Sequence, residues 1–216
     1  MAQHVRTYVH DKEQLNYLLF LPRGYSESQK YPLIFFLHGA GERGSDPEML
    51  KLHGIPKIAE GNPDFGFIAV APQCPLGKWW TQVDPALFKG LLDSVVAAHS
   101  VDTDRMYLTG ISMGGYGTWH FASAYPDTFA AVVPICGGGD PDKVCALKDT
   151  PVWVFHGARD NVVLPRESIK MVDALKECGS TRVKFTLYSS ADHDSWTRTY
   201  NSPRLYEWML EHKRGE

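Results

Sequence analysis

The chain has 216 residues, 44% of them hydrophobic and 22% charged, which suits one globular domain spanning 1–216 with a sizeable core. Its formal net charge is -3 with both signs scattered, so no basic stripe suits nucleic acid or an anionic membrane as partner. No apolar run approaches membrane-spanning length, and the polar start MAQHVRTYVHDKEQ lacks the charged beginning and apolar core of a signal peptide. The expectation is a cytoplasmic protein, although a mature secreted chain with an added Met1 would read the same.

In chain order, the first strands are NYLLFLP and YPLIFFLHG, the second running into the loop LHGAGERG. Gly39, Gly41 and Gly44 spell GxGxxG after a strand, the fingerprint of dinucleotide binding. That reading fails on context: Ser45, Asp46 and Pro47 delay any helix, and the next strand, FGFIAVAPQ, ends without the acidic residue that would hold a ribose. Then come GKWWTQ and the segment DPALFKGLLDSVVAAHS. There Leu87/Phe88, Leu91/Leu92 and Val95/Val96 recur four residues apart, behind Asp84 as N-cap and Pro85 at the first helical position.

RMYLTG reads as a strand, GISMGG as a turn and GGYGTWHFASAYP as a helix stopped by Pro126. The strands AAVVPICGG, PVWVFHG and VKFTLYSS follow. Between the last two, RESIKMVDALKECG is expected to present Ile169, Val172 and Leu175 on one face and to end at Gly179. SPRLYEWMLEHK closes the chain as a helix capped by Ser202. Several of these strands are continuously apolar, as strands buried on both faces require, and their alternation with helices implies an α/β fold with a mostly parallel sheet. Loops that carry chemistry are then expected at the carboxyl ends of the strands. Cys74, Cys136, Cys145 and Cys178 have no CxxC spacing and are read as buried thiols.

A serine boxed by glycines between a strand and a helix is the arrangement of a nucleophile elbow. The glycines let the sharp turn pack between neighbouring elements and lift the hydroxyl of Ser112 into the open. A serine hydroxyl is a weak nucleophile, so the reading requires a histidine base and an acid to orient it, in the order serine, acid, histidine. PVWVFHGARD carries Asp160 past the end of one strand, and VKFTLYSSADHDSW carries His193 past the end of the next. Asp160 is preferred to Asp192 and Asp194, which flank His193 and are read as solvated. His38 and His156 are read as loop-bracing imidazoles. The N–H of Met113, with that of Ala40 first and Gly41 second, is expected to form the oxyanion hole. Trp80 and Trp196, ahead of Trp79, are expected to wall a substrate pocket, and Glu42 and Arg43 are read as solvated rim charges. With no HExxH and no paired Cys/His spacing, neither a catalytic metal nor a cofactor is expected.

Through LHGAGERG, APQCP, GISMGG, HGARDNVV and ADHDSW, the chain resembles the α/β-hydrolase superfamily. Within it, the chain is similar to compact carboxylesterases, related to phospholipase/carboxylesterase and dienelactone-hydrolase-like proteins and including the predicted-peptidase group. The resemblance implies a serine carboxylesterase acting on a small-molecule ester through an acyl-enzyme. Dienelactone hydrolases proper use a cysteine nucleophile, so Ser112 favours the esterase side. Only GGGDPDKVCALKDT separates AAVVPIC from PVWVFHG, too short for a helical lid, so small, soluble, short-acyl esters are expected. A feruloyl or acetyl-sugar esterase, a thioesterase and a peptidase remain open with the same residues. An NAD-binding oxidoreductase and a non-enzymatic ligand-binding relative are the distant alternatives.

Overall fold

Apolar runs without polar interruption have nowhere to go but the middle of a covered sheet. In the computed structural model, which describes residues 3–11, 13–62 and 64–216, four such runs form β3 (Tyr31–Leu37), β4 (Ile68–Pro72), β6 (Ala131–Ile135) and β7 (Val152–Gly157), all almost wholly buried. With β1 (His4–His10), β2 (Glu13–Phe20), β5 (Val101–Ile111) and β8 (Val183–Tyr188) they form an eight-stranded sheet in the order β1-β2-β4-β3-β5-β6-β7-β8. β1 and β2 are antiparallel to their neighbours, and every pairing from β4 through β8 is parallel.

Side chains alternate across the sheet. Leu33, Phe35 and Leu37 face a core shared with α2 (Pro85–Ala98), α3 (Met113–Ala124) and α4 (Arg166–Glu177). Ile34 and Phe36 face a second core with α1 (Gly54–Gly61), α5 (Trp196–Tyr200) and α6 (Pro203–Leu210). This is the α/β-hydrolase fold, a mostly parallel sheet covered by helices on both faces. Between Ile135 and Val152 the chain forms only the 3₁₀ turn Val144–Leu147, and no helical lid is evident. Among the described residues no helix is long and apolar enough to cross a membrane.

Local readings from sequence differ from the structure in three places. α4 buries Ser168, Met171, Val172 and Leu175, whereas Ile169 is 39% exposed, so its inward face is turned away from the one expected. Ser202 precedes α6 but makes no side-chain cap bond, while Asp84 caps α2 by accepting from the Ala86 N–H at 2.8 Å. Cys145 and Cys178, read as thiols, form a disulfide between the Val144–Leu147 turn and the end of α4, leaving Cys74 and Cys136 as buried thiols. Thirty-three residues separate the bonded pair, and spacing alone carried no signal that the fold would bring them together.

Candidate active site

β5 ends at Ile111, α3 begins at Met113, and Ser112 takes the whole turn between them with φ +52 and ψ -116. An L-residue adopts such a backbone only where its surroundings enforce it. Here the enforcement is visible. The Ser112 N–H donates to Ile135 O at 3.0 Å, and its carbonyl accepts from the Tyr116 N–H at 3.1 Å. A Cβ on Gly114 would stand 2.0 Å from Leu37 O, and one on Gly110 would stand 2.3 Å from Gly114 O. Only glycine lets α3 start so close to the end of β3.

Asp160 and His193 arrive from the ends of β7 and β8. His193 Nε2 lies 2.9 Å from Ser112 Oγ, and His193 Nδ1 lies 2.7 Å from Asp160 Oδ2. The other carboxylate oxygen of Asp160 accepts from the Val162 and Val163 N–H groups, each at 2.9 Å, and the residue is 3% exposed. A carboxylate anchored on one oxygen presents the other to the ring at a fixed angle, which makes Nδ1 the donor and leaves Nε2 to accept from the serine. Asp192 and Asp194 remain in the loop; Asp194, one residue before the N-cap of α5, accepts from the Thr197 N–H at 2.9 Å.

His38 and His156 brace the neighbouring loops. His38 Nε2 accepts from the Cys74 N–H at 2.8 Å, so its Nδ1 donates to Gly39 O. His156 is fully buried, with Nε2 2.9 Å from Val163 O and 3.2 Å from Asp160 Oδ2 and Nδ1 2.7 Å from Ser168 Oγ. Burial pushes the His156 imidazole below its ordinary value, against the opposing pull of the Val163 carbonyl and Asp160.

Met113 is the first residue of α3, and Ala40 and Gly41 open the 3₁₀ turn Ala40–Glu42. N–H groups at the start of a helical turn have no partner within it and suit developing negative charge. Gly114 packs against the Leu37 and His38 carbonyls, so α3 starts against the chain two residues before Ala40. Arg43 pins the turn, its Nε–H donating to Ala40 O at 2.9 Å.

Two side chains stand elsewhere than their sequence reading. Trp80 is fully buried; its indole N–H donates to His38 O at 3.0 Å and its ring fills the space beside Gly117, so it supports the loop from inside and lines no open pocket. The exposed indole of the pair is Trp79, at 45%. Trp196 stands edge-on to His193 with ring centres 5.3 Å apart. Glu42, read as a solvated charge, is 6% exposed between His38 and His53, whose ring nitrogens lie 3.6 and 3.7 Å from its oxygens. Burial pushes its carboxyl up, but His38 and His53 together outweigh burial and leave it below the usual carboxylate value. Sequence reasoning also passed over Cys136, whose thiol packs against the Asp160–His193 pair; the available signal was its place at the carboxyl end of β6.

The family model described as "Putative esterase" matches residues 12–176, and that of the prolyl oligopeptidase family matches 140–215. The chain is 32% identical over 169 residues to "Probable feruloyl esterase C" of Aspergillus terreus, covering 73% of this chain and 59% of that one. It is 46% identical over 137 residues to a poly(3-hydroxyalkanoate) depolymerase of Paucimonas lemoignei, covering 53% of this chain and 32% of that one. The chain spans between 20% and 64% of the length of the first curated relatives it matches. Among solved structures, that of a thermostable esterase superposes with a TM-score of 0.84 at 34% identity, covering 98% of this chain and 63% of the other.

Proposed function

Because the chain belongs to the esterase family whose model it matches, we propose that it is a serine carboxylesterase cleaving small, soluble, short-acyl esters through an acyl-enzyme. One observation carries the reading: His193 bridges Ser112 Oγ at 2.9 Å and Asp160 Oδ2 at 2.7 Å. Ser112 attacks the ester carbonyl as His193 Nε2 takes its proton. Asp160 holds the ring and stabilises its charged form. The N–H of Met113, with that of Ala40 or Gly41, receives the oxyanion. His193 then protonates the leaving alcohol, and a water activated in the same way releases the acid.

Trp196 supplies apolar surface beside the base and is the wall that would contact the ester, while the open connection between β6 and β7 supports small substrates. Feruloyl esters are the second reading, favoured by the named feruloyl esterase relative and by the half-exposed Trp79. The disulfide supports maturation in an oxidising compartment over the cytoplasm expected from sequence. Hydrolysis of p-nitrophenyl esters from acetate to palmitate, by wild type and Ser112→Ala, tests the proposal. Rates should peak at short chains and fall by roughly 10⁴ to 10⁶ in the variant. A peak at palmitate, or substantial activity in Ser112→Ala, rejects it.

A further inference from the structure

Behind the base lies a group that ester hydrolysis does not use. Cys136 has φ +41 at the end of β6 and a fully buried side chain. Its Sγ, a carboxylate oxygen of Asp160 and a ring nitrogen of His193 all lie within 4.8 Å of one another. Thiolate, carboxylate and imidazole form a donor set suited to a tetrahedral, borderline-soft cation; for bonds of about 2.0 to 2.3 Å the sulfur would approach the other two by about an ångström, while Asp160 Oδ2 and His193 Nδ1, 2.7 Å apart, would part by about half an ångström. A second feature points the same way. Ser195 is 0% exposed, its hydroxyl has no hydrogen-bond partner, and it stands against the Cys136 sulfur. A buried hydroxyl left free to donate beside the sulfur is the outer hydrogen bond that a metal-bound thiolate uses. Without a cation, burial pushes the thiol up to about 12, so it stays protonated and takes no part as a nucleophile.

We propose that Cys136, Asp160 and His193 form an inhibitory site for a borderline-soft divalent cation such as Zn²⁺ or Cd²⁺. The cation displaces the thiol proton to solvent and takes His193 Nδ1, the nitrogen that faces Asp160. The ring proton then moves to Nε2, and an Nε2–H imidazole cannot accept the Ser112 proton. Binding therefore switches off the base without touching the serine. The inhibitory effect rests on the esterase reading, whereas the binding does not.

CdCl₂ titration of the purified protein separates the two, following the ultraviolet thiolate-to-cadmium charge-transfer band alongside p-nitrophenyl acetate hydrolysis. One band per chain should grow in step with the loss of activity, and EDTA should reverse both. Cys74→Ala should keep the band, and so should Ser112→Ala, which has no hydrolysis to lose. Cys136→Ser, or Cys136→Ala if the serine variant does not fold, should lose the band and need at least ~10-fold more Cd²⁺ for half inhibition. No band in wild type, a band lost in Cys74→Ala, or equal inhibition with and without Cys136 would overturn the site.

Discussion

At Asp160 both carboxylate oxygens are committed, one to the N–H groups of Val162 and Val163 and the other to His193. An amide in its place could still accept from the two backbone donors, but would then turn an NH₂ towards Nδ1. The ring would answer with Nδ1 as acceptor and Nε2 protonated, the wrong tautomer for a base. Asp160→Asn is therefore expected to leave the fold intact and lower kcat by about 10⁴ with little change in KM; a variant within tenfold of wild type would remove Asp160 from its role. The positions of Ser112, Asp160 and His193 were legible in sequence because each lies just past a strand end, and backbone topology alone carries such residues to one place. Trp80 and Glu42 were misread because burial of a single side chain depends on its neighbours in space: Trp80 lies under His38 and Gly117, and Glu42 between two imidazoles, contacts that no local pattern encodes.

At the scale of elements, the continuous apolar strands and α2 were readable because their period and caps agree. β1 was not read: HVRTYVH is exposed along nearly its whole length and owes its strand form to pairing with β2. α1 was missed because GIPKIAEG is short and interrupted by Pro56, a helix held by Ile55 and Ala59 against the sheet. The disulfide links the β6–β7 connection to α4, the helix that follows the Asp160 loop and places Ser168 against His156 and Gly137 O. Closing 33 residues in the unfolded chain should contribute roughly 4 kcal/mol. Cys145→Ser with Cys178→Ser should accordingly lower Tm by several degrees. The denatured, unreduced wild type should titrate two thiols, from Cys74 and Cys136; four thiols and an unchanged Tm in the double variant would show that the bond does not form.

Across the whole molecule, burial lowers the imidazoles of His99, His120, His156 and His212 below their ordinary 6.5. The unfolded chain then binds more protons than the native one as pH falls through about 6.5, so acidification favours unfolding, and stability rises again with pH until those groups are neutral in both states. Glu42, lowered from 4.5, adds a loss of the same sign in more acid solution. Tm should be level from about pH 7 to 8, below the ordinary thiol range, and fall steadily towards pH 5; a Tm that rises on acidification would contradict these burial assignments. The two-sided core and the short β6–β7 connection leave Ser112 partly exposed while Asp160 is buried beneath it. Whether Ser112 is the group that reacts is tested most directly by covalent capture with a p-nitrophenyl alkylphosphonate. One equivalent of p-nitrophenol should be released per chain, with the phosphonyl group on Ser112 by peptide mass spectrometry and no release from Ser112→Ala. No release from wild type, or an adduct on any other residue, would contradict the proposed nucleophile.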